Sequence, residues 1–183
     1  MHGAEVVVVT APGEHSGVQA DAAVTAVAGC ALAVRTADCA PVSIFGDHSI
    51  AIAHAGWRGL LAGVLPATVD ALRSLGDTPR LATLGPCIRV GCYEFAGPER
   101  EALAARFGPS VLGTTDWGTP ALDLPAAVSA ALGELGIEFV DDGVCTACDE
   151  TLYSHRARAE AERFATVVWI EQRPRLGGAG VGE

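Results

Sequence analysis

Positive charge is scarce in this chain: 12 Lys and Arg stand against 22 Asp and Glu, for a formal charge of −10. Phosphate backbones and anionic membranes are bound through clustered Lys and Arg, so neither nucleic acid nor a membrane surface is an expected partner. A small anion held by one or two local arginines stays open. Long apolar runs are lacking too. None approaches the roughly 20 residues that span a bilayer, and the opening MHGAEVVVV has neither the basic n-region nor the long h-region of an export signal. A cytoplasmic setting is therefore expected, in which Cys30, Cys39, Cys87, Cys92, Cys145 and Cys148 are reduced thiols. Histidine numbers five and methionine one, too few for blue-copper or multicopper centres, which draw on many His and usually an axial Met.

What is present is material for a core. Half of the residues are hydrophobic and 19% are charged, the profile of a filled globular interior, and 183 residues fit one domain. Strand-like runs dominate the first part: 5–10, 31–36, 41–45 and 49–54. A helical stretch is expected over 60–75, where Leu61, Leu65, Val69, Leu72 and Leu75 fall near a 3.6-residue period, with Pro66 in its early turns or kinking it. A strand at 80–84 leads into the loop GPCIRVGCYEF. Helices follow at 98–107 and within LDLPAAVSAALGELG, then strands at 137–140 and 166–170. The expected architecture is one mixed α/β or α+β domain over 1–175, and the Gly-rich end, 176–183, reads as a disordered tail.

Cys39 and His54 carry the chemistry. Each lies at the end of an apolar strand-like run, where α/β enzymes assemble their sites. A thiolate with an imidazole suits Zn²⁺, given a third ligand and an open position; packing as an ordinary buried Cys and His is the plain alternative. Asp38 is placed to orient a ligand or move a proton. Arg35 and Arg58 are candidate anion contacts, because guanidinium matches phosphate oxygens in a bidentate way, and Arg58 equally suits a solvated turn. Cys145 and Cys148 form a C-x-x-C without a second such pair, so a structural metal site is the lesser reading. Cys87 and Cys92 read as packing residues of a tight loop, and His48 as a hairpin-turn residue.

Five blocks, ALAVRTADCAPVSIF, IAIAHAGWRGLLAGVL, TLGPCIRVGCYEF, LDL and CTACDETLYSHR, occur in that order. Together they closely resemble the laccase-domain family, also called polyphenol oxidase-like, whose bacterial members are assigned as purine nucleoside phosphorylases. The resemblance implies a layered α/β/β/α fold with mixed sheets and Zn²⁺ held by one Cys and two His. It also implies action on adenosine, inosine and related nucleosides. Its metal ligands fall on Cys39, His54 and His2 of MHGAEVVVV; His15, in the loop APGEHSG, competes with His2 but does not match the motif. It makes Cys145 and Thr146 pocket-lining, with Tyr153, Ser154, His155 and Arg156 behind them. Members carry a TR-x-G-G segment ahead of the first ligand, so this resembles an N-terminally short member.

The expected activity is zinc-dependent phosphorolysis of a purine nucleoside, with phosphate as co-substrate, in a monomer or homodimer. Deamination of adenosine, by a water acidified to a pKa of about 7, is a second reaction open to such a site. The H-x-E plus P-C-x-x-C signature of the usual zinc nucleobase deaminases is not in the sequence. The rivals are a copper polyphenol oxidase, a thiol hydrolase with Cys39 as nucleophile and His54 as base, and a non-catalytic metal-binding module.

Overall fold

The computed structural model describes residues 3–171. His2 and the expected tail, 176–183, therefore lie outside the described residues. Six strands form a mixed sheet in the order β1-β2-β5-β4-β6-β9: β1 (Val6–Val8), β2 (Ala22–Thr25), β4 (Ala40–Phe45), β5 (Ile50–Ala55), β6 (Leu81–Leu84) and β9 (Glu138–Asp141). The outer pairs β1·β2 and β6·β9 are parallel, and the inner pairings are antiparallel. A separate antiparallel pair joins β3 (Ala31–Thr36) to β10 (Phe164–Trp169), and a third joins β7 (Leu112–Thr114) to β8 (Pro120–Leu122).

The pleat explains how the layers divide. Side chains alternate faces with period two, and β5 is buried on both faces, which is why it reads as a continuous apolar run. Ala51, Ala53 and Ala55 point to the larger core, with Val42 and Ile44 of β4. That core is closed by α2 (Val64–Ser74), α3 (Pro98–Phe107) and α4 (Leu124–Glu134), through Leu65, Leu72, Leu103, Val128 and Leu132. Ile50 and Ile52 point the other way, into a smaller core with Leu32 and Val34 of β3 and Val168 of β10. The layers thus run helices, large sheet, small sheet. On the outer face of the small sheet Val167 and Trp169 are exposed, and among the described residues no helix covers them.

Local chemistry sets the helix ends. Asp123 caps α4 by accepting from Ala126 N at 2.9 Å, with a proline in the first turn. α3 starts on Pro98 with Glu99 and Glu101 in its first turn, and Arg106 in its last turn pairs with Glu134 of α4 at 2.8 Å. The single helix expected over 60–75 is two. Gly63 adopts the left-handed conformation (φ 84°) and ends α1 (Trp57–Ala62), so the break comes there, while Pro66 is accommodated in the first turn of α2.

One buried carboxylate organises the far end of the sheet. Asp77 accepts from the backbone N–H groups of Asp47, His48, Ser49 and Thr78 and from Ser49 Oγ at 2.6 Å, pinning the β4–β5 hairpin turn in which His48 was expected. Burial alone would raise its pKa; these donors hold it well below the usual carboxylate range.

Candidate active site

Strand register brings the two principal candidates to one end of the sheet. Pro41 of β4 pairs with His54 of β5, and directly paired residues point to the same side, here the face of the small core, since Phe45, Ile50 and Ile52 belong there. Cys39 stands two residues before Pro41, in the bend that leads into β4. Cys39 and His54 are both half-buried, at the end of the sheet.

A third residue joins them that sequence reasoning missed. Asp21, 1% exposed, precedes β2, and its carbonyl accepts from His54 N at 2.7 Å. The register puts it on the same face as His54, with Ala23. Its Oδ2 accepts from Glu5 N at 3.4 Å, whereas Oδ1 has no hydrogen-bond partner among the described residues. Buried carboxylate oxygens are rarely left so. A thiol and an imidazole fit a borderline-soft ion such as zinc, given a further ligand.

The thiol itself is held protonated. Burial pushes the Cys39 pKa up to about 11; the Asp38 carboxylate adds to this, and the guanidinium groups of Arg163 and Arg58 oppose it. Arg163 was not among the residues singled out from sequence. No local motif marks it, and it reaches Cys39 only because β10 lies against β3.

Asp38 has a different place from the one expected. It is a non-glycine residue at φ 85°, a conformation that costs of order 1 kcal/mol. Its carboxylate is fully engaged: Thr146 Oγ1 and Ser154 Oγ donate to Oδ1, each at 2.7 Å, and Arg156 N donates to Oδ2 at 2.7 Å. The Asp38 carbonyl also accepts from Ile88 N at 2.9 Å. Asp38 thus ties the segment 146–156 and the loop after β6 to the turn that carries Cys39. Ser154 in turn caps α5 (His155–Arg158) by accepting from Ala157 N.

Stacked rings link the remaining blocks. The Arg58 guanidinium lies 4.1 Å from the Trp57 ring centre, Trp57 meets Phe95 edge-on at 5.5 Å, and Phe95 meets Tyr93 at 5.4 Å. Arg156 completes the series 5.0 Å above the Tyr93 ring, with Nη1 donating to the Glu94 carbonyl at 3.0 Å. Burial pushes the Tyr93 hydroxyl up to about 12, with Cys39 adding to the shift. Beside this stack a cleft of about 600 Å³ is lined by Cys92, Glu94, Trp117, Ala147, Arg156 and Ala157.

The other expected residues divide. Thr146 is buried on Asp38, and the Cys145 backbone pairs with that of Cys87 in an isolated β-bridge, both thiols being free. Tyr153 and His155 are exposed, the latter with Nδ1 3.3 Å from the Glu160 carbonyl. Arg35 is exposed and alternates with the inward-facing Val34 and Thr36, so it leaves the outer face of the small sheet. Cys87 is buried as expected, but Cys92 is not simple packing: its Sγ lies 3.4 Å from Cys148 Sγ, and Cys145 completes a group of three.

The family model described as multi-copper polyphenol oxidoreductase laccase matches residues 1–171. The chain belongs to that laccase family. Among the relatives of this laccase-family chain is a purine nucleoside phosphorylase of Streptomyces coelicolor, 43% identical over 177 residues, covering 93% of this chain and 73% of the relative. A purine nucleoside phosphorylase of Mycobacterium tuberculosis is 39% identical over 177 residues, covering 93% and 70%. The fold agrees with YlmD from Geobacillus stearothermophilus at a TM-score of 0.83 and 27% identity, covering 94% of this chain and 72% of that one. Bacillus licheniformis YfiH, titled a hypothetical protein, agrees at 0.82 and 25%, covering 93% and 72%. The resemblance read from TADC, HAGWR and the blocks after them is therefore a family membership, and the mixed α+β fold is the family's. Among the described residues, no helix is long and apolar enough to cross a membrane.

Proposed function

We propose that this laccase-family chain is a zinc-dependent purine nucleoside phosphorylase acting on adenosine or inosine with inorganic phosphate. The observation that carries the reading is the strand register, which sets His54 opposite Pro41, two residues after Cys39, at one end of the large sheet. Relatives at 43% and 39% identity bear the name purine nucleoside phosphorylase, which supports the choice of substrate. His2 is proposed as the third ligand beside Cys39 and His54. When bound, the ion supplies positive charge to an anion or a polarised oxygen at the site.

The protein's own groups do the rest. Arg58, whose guanidinium lies over the Trp57 ring, is the proposed phosphate contact, since guanidinium matches phosphate oxygens. Phosphorolysis joins a phosphate oxygen to the anomeric carbon as the bond to the purine nitrogen breaks, and the departing base needs a proton or a hydrogen bond. Tyr93 stays protonated across the physiological range and sits in the ring series beside the cleft, where it can donate. Arg156 and the cleft wall formed with Glu94 and Trp117 suit the nucleoside; Cys145, Tyr153 and His155 are proposed at its edge, and the buried Thr146 acts through Asp38. Asp38 acts by positioning this segment. Adenosine deamination at the same site is a secondary activity of the proposal.

Zinc is preferred to copper because a blue-copper centre usually adds an axial Met to its Cys and His ligands, and the one Met of this chain is Met1. The raised Cys39 pKa also weighs against a thiol hydrolase, which needs a ready thiolate. The test is chromatographic: reduced, zinc-loaded protein is mixed with inosine or adenosine, with and without phosphate. Free base together with ribose 1-phosphate, formed only when phosphate is present, supports the reading. Oxidation of a phenol with stoichiometric copper and no phosphorolysis would overturn it.

A further inference from the structure

The C-x-x-C at Cys145 and Cys148 gains its missing partner from a distant loop. Cys92 ends a single 3₁₀ turn, Val90–Cys92, and its Sγ, with those of Cys145 and Cys148, lies within 4.8 Å of the other two. Cys92 and Cys148 are 3.4 Å apart. Sulfurs sharing a tetrahedral ion at the zinc–thiolate distance of 2.3 Å sit about 3.8 Å from each other, inside the range observed. The loops are fixed against one another by backbone bonds: Cys87 N donates to the Val144 carbonyl at 3.3 Å, and Thr146 N to the Cys87 carbonyl at 3.1 Å. Arg89 closes the same join, with Nη1 on Asp141 at 2.5 Å, Nη2 on Asp141 at 2.7 Å and Nε on the Val144 carbonyl at 3.1 Å.

None of the three cysteines is in a disulfide. Three free thiols whose sulfurs lie this close suit a soft or borderline cation better than hydrocarbon packing.

We propose that Cys92, Cys145 and Cys148 form a second metal site, separate from Cys39 and His54, that takes a thiophilic divalent cation of the zinc type. The three thiols release their protons on binding. Cys148 is exposed and Cys92 lines the cleft, so solvent or a small molecule reaches the fourth coordination position. The ion would clamp the loop after β6 to the segment 145–156, the same segment that Asp38 holds from its other side.

Cobalt titration of the reduced full chain tests this, read by sulfur-to-cobalt charge-transfer absorbance. The wild-type protein is expected to develop a band of multiple thiolates. Cys148→Ser and Cys92→Ser should each weaken binding at this site at least about tenfold, since loss of a ligand exceeds the loss of an outer partner. Cys39→Ala should keep most of the band. Circular dichroism establishes that each variant is folded, and Cys148, being exposed, is the safer substitution. The proposal is overturned if the wild type develops no band, if folded Cys148→Ser and Cys92→Ser bind as the wild type does, or if Cys39→Ala alone removes the band. A protein that shows the band yet fails to cleave nucleosides leaves this site standing and removes the function proposed for Cys39 and His54.

Discussion

The carboxylate of Asp38 accepts the hydroxyl of Ser154 at 2.7 Å across 116 residues of sequence. Thr146 and the Arg156 amide share the same carboxylate, so one strained residue beside Cys39 holds three points of a distant segment. The tie joins the thiol to the cleft wall, and it accounts for an aspartate at φ 85° where glycine would be the relaxed choice.

Asp38→Ala should destabilise the protein by about 3 kcal/mol, because it strands two buried hydroxyl donors and a partly buried amide. Hydrogen exchange should speed up over 146–158 more than in the six-stranded sheet. Ser154→Ala should cost about 1–2 kcal/mol, since it removes both a donor to Asp38 and the cap of α5. Uniform exchange rates in Asp38→Ala would show that the carboxylate does not hold the segment.

Asp77 gives the fold an acid limit. Its pKa is lowered in the native state, so its contribution is complete above the unfolded value of about 3.9 and is lost as pH falls through the lower native value. The urea midpoint should drop between pH 5 and pH 3. Asp77→Asn should be less stable at pH 7 and should lose less over that interval. An equal pH dependence in the two proteins would remove Asp77 from the account.

In metal-free protein Cys39 should react slowly with iodoacetamide at pH 7, because a pKa near 11 leaves about one thiol in 10⁴ ionised. The rate should climb with pH toward that value. Fast labelling at pH 7 would instead favour an activated thiol nucleophile.

Arg89→Ala should cost about 2 kcal/mol, as it breaks a bidentate pair and a carbonyl contact in a partly buried join. Arg89→Lys should recover little of it, since an ammonium cannot bridge both oxygens of Asp141. Cobalt affinity at Cys92, Cys145 and Cys148 should fall in both variants if the join positions those sulfurs.

Much of the fold was legible where local pattern and tertiary setting agree. Ala31–Thr36 and Pro98–Phe107 form the strand and helix expected of them to the residue. Ala22–Thr25 was not read, because four residues of Ala, Val and Thr carry little periodicity and become a strand only between β1 and β5. The split at Gly63 was hidden because the apolar spacing continues through it. In the site, Cys39 and His54 announce themselves at strand ends. Asp21, Arg163 and Cys92 do not: each acquires its setting from partners far along the chain, as when Cys92 meets Cys148 at a separation of 56 residues. Neighbouring Cys39 in sequence suggested a chemical part for Asp38, but its hydrogen bonds are spent on anchoring.

The site proposed at Cys39 and His54 is metal-dependent and phosphorolytic. It is tested most directly by comparing wild-type and Cys39→Ala protein, both zinc-loaded and folded, for phosphate-dependent release of hypoxanthine from inosine. Release by the wild type, together with ribose 1-phosphate, is expected, with a loss of at least a hundredfold in the variant, of the size seen when a catalytic electrostatic contact is removed. Equal release by the two proteins, or release that does not require phosphate, would contradict it.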